Sequence, residues 1–179
     1  EDHLRGLALD PSGAVVFAGR TLAFNFPTTP GSYQPSFNLT ATGQGFVVKL
    51  NFLLYPIPYG SAKPNSYGAS PTIVFDGFPS VADQDFELGL QAGMPNQKAV
   101  VFHGRSAAAL PFFGGTLLAQ PPLVRDSVLQ LDLFGYGIGP VGLSPGMVGQ
   151  TLYFQLWFID PGDPLKVGLS DGLQVLVYP

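Results

Sequence analysis

The stretch "VLQLDLF", Val128 to Phe134, sets Leu129, Leu131 and Leu133 on one side and Gln130 and Asp132 on the other. That period of two is the signature of a strand with one face in a core and one in water. It lies in Leu123 to Phe134, the longest run of the chain without glycine or proline. "FELGLQ", residues 86 to 91, repeats the pattern with Phe86, Leu88 and Leu90 against Glu87, Gly89 and Gln91. Half-buried strands of this kind belong to antiparallel sheets.

Glycine (23) and proline (18) fill more than a fifth of the 179 residues and interrupt them so regularly that long helices are excluded. Five further segments are apolar on both faces: residues 14 to 19, 45 to 55, 99 to 104, 151 to 159 ("TLYFQLWFI") and 173 to 178. They are expected to be central strands or strands covered by another chain. Turn signals every eight to twelve residues complete the pattern of an all-β chain, an antiparallel β-sandwich. The composition shifts at residues 55 to 71, "YPIPYGSAKPNSYGASP", which places a domain boundary near Tyr59. Residues 1–58 form a hairpin and a long loop; residues 59–179 have the length of a sandwich domain.

Only 11% of residues are charged, against roughly 25% in typical globular proteins. A surface so poor in charge is weakly protected against association. The net charge of −4 is scattered singly, so neither nucleic acid nor an anionic membrane finds clustered Lys or Arg. The longest strongly apolar run, nine residues, is about half of the roughly 20 that a membrane helix requires, and no membrane insertion is expected. Without cysteine, thiolate chemistry and cysteine-based metal sites are excluded. No signal peptide is visible, and a start at Glu1 fits a processed mature form or an excised piece equally well.

Three elements stand in order near the N-terminus: Leu9-Asp10-Pro11-Ser12-Gly13, Phe26-Pro27-Thr28-Thr29-Pro30-Gly31 and Phe46-Val47-Val48-Lys49-Leu50. The first is turn chemistry: an acceptor Asp, a φ-fixing Pro and a terminal Gly. The second is an extended path with Phe24, Phe26 and Tyr33 to pin it. Together, residues 6 to 51 resemble a repeat unit of a bacterial seven-bladed β-propeller family, with "LLYPIPYG" resembling the next strand of the unit. Repeat units bury their apolar faces on neighbours and need about three copies to be stable. This chain has one. The remaining outcomes are the tail of a longer propeller protein, a unit packed on its own C-terminal domain, or strands that complete a neighbouring subunit by strand addition. For the last, the assembly residues are Leu7, Leu9, Val15, Phe17, Phe24, Phe26, Tyr33, Phe46 and Val48.

From about Tyr59 the chain is similar to a C-terminal β-sandwich module of large secreted bacterial surface proteins. The resemblance is carried by Tyr59-Gly60, Gly114-Gly115-Thr116-Leu117-Leu118, Leu152-Tyr153-Phe154-Gln155 up to Asp160-Pro161, and Ser170-Asp171-Gly172-Leu173. It implies an extracellular or cell-surface location and names no activity. The module's two cysteines are absent, with Lys63 and Gly115 near their places.

The chemistry-bearing residues are sparse. "GLSPG" (142 to 146) and "GLSDG" (168 to 172) fit Gly-x-Ser-x-Gly, but both read as turns, and His3 and His103 precede them where a hydrolase places its histidine later. His103 reads as an exposed or hydrogen-bonded strand residue. Two histidines without cysteine make zinc improbable. Asp83, Asp85 and Glu87 are spaced to line one face and are weak calcium candidates; the competing reading is a solvated strand edge. Asn38 in "NLT" is a glycosylation candidate. Trp157 is conceivable as a sugar platform but lies in a core-type strand. The expectation is a non-catalytic extracellular subunit of a self-assembling filament or sheath, without cofactor, whose partners are copies of itself. The alternative is an adhesion module that binds glycan or other surface proteins.

Overall fold

The computed structural model describes residues 2–9, 15–28, 36, 43–50 and 56–179. The chain divides into two compact units, Glu1–Leu53 and Leu54–Pro179. The Asp10 to Gly13 turn, Thr29 to Gly31 of the proline loop, Tyr33 and Asn38 lie outside the described residues.

In the first unit, β1 (Asp2–Leu9), β2 (Val15–Thr21) and β3 (Gln44–Leu50) form an antiparallel sheet in that order. Their register aligns Leu7 with Phe17 and Val48, and Leu9 with Val15 and Leu50. The alternation in the sequence therefore becomes one apolar face. A bulge at Arg5 shifts β1 by one residue, after which Leu4 faces Gly19 and Gly19 faces Phe46. Gly19 is needed there, because a Cβ would sit 2.2 Å from the His3 carbonyl oxygen and 2.5 Å from the Phe46 ring.

The second unit is a β-sandwich with an added hairpin. β10 (Val124–Gln130), β7 (Lys98–Gly104), β12 (Thr151–Ile159), β13 (Val167–Leu176) and β4 (Ile57–Tyr59) form a five-stranded sheet in that order. β11 (Gly137–Pro140), β6 (Glu87–Gln91) and β5 (Thr72–Asp76) form the opposing sheet, and β8 (Ala107–Phe112) pairs with β9 (Gly115–Ala119). All named pairings are antiparallel. Phe86, Leu88 and Leu90 of the smaller sheet pack against Leu152, Phe154, Leu156 and Phe158 of the larger one, the main core. The pattern read in "FELGLQ" is thus present in space.

The doubly apolar "TLYFQLWFI" is explained within the chain. As β12 it lies between β7 and β13, and its second face meets a smaller cluster in which Tyr153 and Trp157 pack on Phe102, Leu117 and Ala119. Gln155 joins the layers. Its Nε2 donates to the carbonyls of Thr116 (3.0 Å) and Ser170 (2.9 Å), and its Oε1 accepts from the Leu118 amide (2.9 Å). A polar side chain in the most apolar strand is tolerated because its amide is bonded at both ends.

Three expectations are corrected. Ile57 and Pro58, expected in the N-terminal unit, pair with β13 beside Tyr59, whose hydroxyl donates to the Leu118 carbonyl at 2.8 Å. The boundary accordingly falls between Leu53 and Leu54. "GLSDG" is a bulged part of β13 and not a turn. Finally, the alternation in "VLQLDLF" ends early: Leu129 and Leu131 are buried, whereas Leu133 is 70% exposed beyond the end of β10.

Candidate functional site

The apolar face of the N-terminal sheet is the strongest candidate. Leu7 and Leu9 are 67% and 70% exposed, and Leu4 and Leu50 are exposed beside them. Phe17 and Phe46 meet edge to face at 6.2 Å, and Phe26 stacks on Phe46 at 4.7 Å, which fixes the aromatic half of the face. The buried Thr21 hydroxyl donates to Asp2 at 2.5 Å and accepts from the Ala23 amide at 2.9 Å, tying the ends of β1 and β2 together. Of the expected assembly residues, Leu7, Leu9, Val15, Phe17, Phe46 and Val48 share this face and Phe26 packs on it. Phe24 lies in the turn after β2 and is exposed, and Tyr33 is outside the described residues. Contiguous apolar surface of this kind marks an interaction site.

The sandwich has a second exposed group that the sequence did not announce. Loops 60–71, 92–97, 131–136 and 160–166 meet at one end, joined by the Asn65 side-chain amide donating to Ala92 (3.0 Å), the Gly93 amide to Gly135 (2.9 Å) and the Asn96 amide to Asp132 (2.9 Å). Buried Asp160 accepts from the Ser66 amide (2.7 Å) and hydroxyl (2.5 Å) and from the Gly162 amide (3.2 Å). Lys63 donates to the Phe113 and Val167 carbonyls, both at 2.8 Å, and pairs with Asp163 at 2.8 Å. The hydrogen bond from Lys63 holds the Asp163 carboxyl below its ordinary range. From these loops project Tyr67, Leu133 and Phe134, all exposed. The detectable signal was "DLFGY": an Asp followed three residues later by Gly is turn chemistry that competes with the alternation.

His103 and Ser170 are each held in local hydrogen bonds within the sandwich. His103 Nδ1 lies 2.7 Å from the Asp126 carboxylate, both side chains are 5% exposed, and the imidazole packs on Phe154 at 5.2 Å. Asp126 sits in the bulge of β10, so the pair closes a break in the sheet. Ser170 is fully buried, its hydroxyl donating to the Asp171 carbonyl (2.6 Å) and accepting from the Leu156 amide (2.9 Å). Ser144 precedes a short 3-10 turn, Pro145–Met147.

Asp83, Asp85 and Glu87 are not gathered. The Asp83 amide donates to the Ser80 hydroxyl, Asp85 accepts from the Phe78 amide at 3.1 Å, and Glu87 stands in β6 opposite Asp76. Among the described residues no group of three or more His, Cys, Asp or Glu is placed to hold a metal ion. Trp157 is half-buried against the hairpin cluster. Burial, and secondarily the neighbouring Tyr153, pushes the Tyr59 phenol well above its ordinary range. Among the described residues no helix is long and apolar enough to cross a membrane.

Lys63 and Gly115 are neighbours: a Cβ on Gly115 would stand 2.9 Å from the Lys63 Cβ. Comparison with protein-family models, curated proteins and solved structures finds no match to this chain.

Proposed function

We propose that the chain is a non-catalytic extracellular structural subunit that assembles with copies of itself through its N-terminal sheet. The observation that carries this reading is the exposed apolar face around Leu4, Leu7, Leu9 and Leu50. A face of leucines in water costs hydrophobic free energy that association recovers, at about 25 cal/mol per Å² of apolar surface covered.

The strand ends of the two units differ in a way that favours strand addition at this sheet. In the two main sheets of the sandwich the outer strands are blunted. β4 has three residues and contains Pro58, β11 has four and ends at Pro140, β10 is bulged at Asp126, and the Ile73 amide of β5 is capped by Asp171 at 2.7 Å. Short strands, prolines and bulges are the usual protections against unwanted pairing. β3, an end strand of the N-terminal sheet among the described residues, has seven residues, no proline and an unbroken register with β2. The low charge of the chain removes the other common barrier to association. The extracellular place in this proposal rests on the motif resemblance at Gly114–Leu118 and Ser170–Leu173 alone.

The test is the double variant Leu7→Asp, Leu9→Asp in the intact chain. The wild type is expected to form polymers with rising concentration, and the variant to stay monomeric with an unchanged sandwich. A wild type that stays monomeric at every concentration and binds glycans would favour the adhesion reading, for which the exposed loop aromatics Tyr67 and Phe134 are the supporting observation.

A further inference from the structure

Resting on the self-assembly reading, we propose that Leu133 and Phe134 form a rigid apolar finger that seats on the N-terminal sheet of a second copy. The loop is held with unusual completeness. Asp132 Oδ1 accepts from the amides of Phe134 (2.8 Å) and Tyr136 (2.9 Å). The Asp132 amide donates to the Tyr136 carbonyl (2.8 Å) and the Gly135 amide to the Asp132 carbonyl (3.2 Å). Loop 92–97 braces it from outside, through the Gly93 and Asn96 amides on Gly135 and Asp132. Gly135 makes the close approach possible: at φ +72°, a Cβ there would lie 2.2 Å from the Gly93 carbonyl oxygen.

At the tip of this bonded loop, Leu133 is 70% and Phe134 85% exposed. A mobile loop could fold such side chains against its own surface; this one holds them outward. Large apolar groups fixed before contact bind with little loss of conformational freedom, the property of interface anchors.

Charge and topology select the partner. The sandwich unit carries nine acids against five bases, net −4, whereas the N-terminal unit carries three of each. Two sandwich surfaces repel, but a sandwich surface meets no net opposition at the N-terminal sheet. That sheet supplies the apolar complement in Leu4, Leu7, Leu9 and Leu50. The loop from Leu131 to Gly137 holds one charge, Asp132, and no base to draw it to an anionic bilayer. A contact between two different surfaces of one chain is heterologous, so it repeats from copy to copy and yields an open filament when the rotation does not close.

The test places the photocrosslinker p-benzoylphenylalanine at Phe134, and separately at Leu133, in intact chain mixed with isotope-labelled wild type. Irradiation of the assembled protein is expected to join labelled to unlabelled copies, with the crosslink in Asp2–Leu9 or Gln44–Leu50. In parallel, Leu133→Ser, Phe134→Ser is expected to raise the concentration needed for assembly by about tenfold or more, while leaving unchanged the melting temperature of the dilute, unassembled chain. Polymers that form with crosslinks only to sandwich residues, or with none between copies, overturn the finger and leave self-assembly standing. A chain that neither polymerises nor crosslinks between copies at any concentration overturns both. Crosslinking of Phe134 to phosphatidylcholine vesicles in place of protein overturns the second copy as partner.

Discussion

Gln155 shows how one polar side chain allows three layers to share a strand. It is fully buried, and its amide bonds β9 to both β12 and β13. Gln155→Ala leaves the Leu118 amide and two carbonyls without their partner and opens a cavity. The expected loss is about 2–4 kcal/mol in chemical denaturation, from unsatisfied buried groups and lost packing together. A loss below 0.5 kcal/mol, on the order of an exposed substitution, would show that the hairpin is not docked through this residue. Lys63 and Gly115 give a second residue-scale test. Cβ atoms joined by a disulfide are about 3.5–4.5 Å apart, and the Lys63 and Gly115 positions need only a small outward shift to reach that range. The variant Lys63→Cys, Gly115→Cys is expected to form the bond on oxidation, with the oxidised form about 2–4 kcal/mol more stable than its own reduced form. Thiols that remain free under oxidant would contradict the observed neighbourhood of β9 and Lys63.

Among the elements, β6 and β12 were the most legible, because their residues are decided by burial: alternation for a strand with one covered face, apolarity throughout for a strand covered on both. β10 was legible only as far as Gln130. The alternation in its sequence runs on to Leu133, but Asp132 bonds two amides of its own loop and turns the chain away, so local hydrogen bonding overrides the period. β4 was misassigned for a related reason: its three residues are too few to show a period, and long-range pairing with β13 decides its place. Most of the apolar face of the N-terminal sheet could be read from Leu7, Leu9, Phe17 and Val48, whereas the exposed loop at Leu133 and Phe134 could not, since exposure of a leucine at a turn leaves no periodic trace. In the N-terminal sheet, Gly19 is the element's weak point. Gly19→Val would drive a side chain into the His3 carbonyl and the Phe46 ring. Separation of β1 from β2 is expected, seen as rapid amide exchange in Asp2–Leu9 and Val15–Thr21 with the sandwich amides still protected. Loss of protection in both units together would mean that they unfold as one.

At the scale of the whole molecule, two units of different character share one chain. The sandwich is closed by a full core, blunted edges and bonded loops; the N-terminal sheet presents an apolar face to solvent. Three strands with one apolar face gain stability when that face is covered. Placing the cover on another copy accounts for the low charge, the unbroken, proline-free β3 and the leucine face with one mechanism. It also makes stability depend on protein concentration, as for any assembly that binds only the folded state.

The most direct measurement is negative-stain electron microscopy of the intact chain over a concentration series, beside the Leu7→Asp, Leu9→Asp variant. Ordered fibres from the wild type and dispersed particles of one chain's mass from the variant are expected. Dispersed single particles from both, at every concentration, would contradict assembly through the N-terminal sheet.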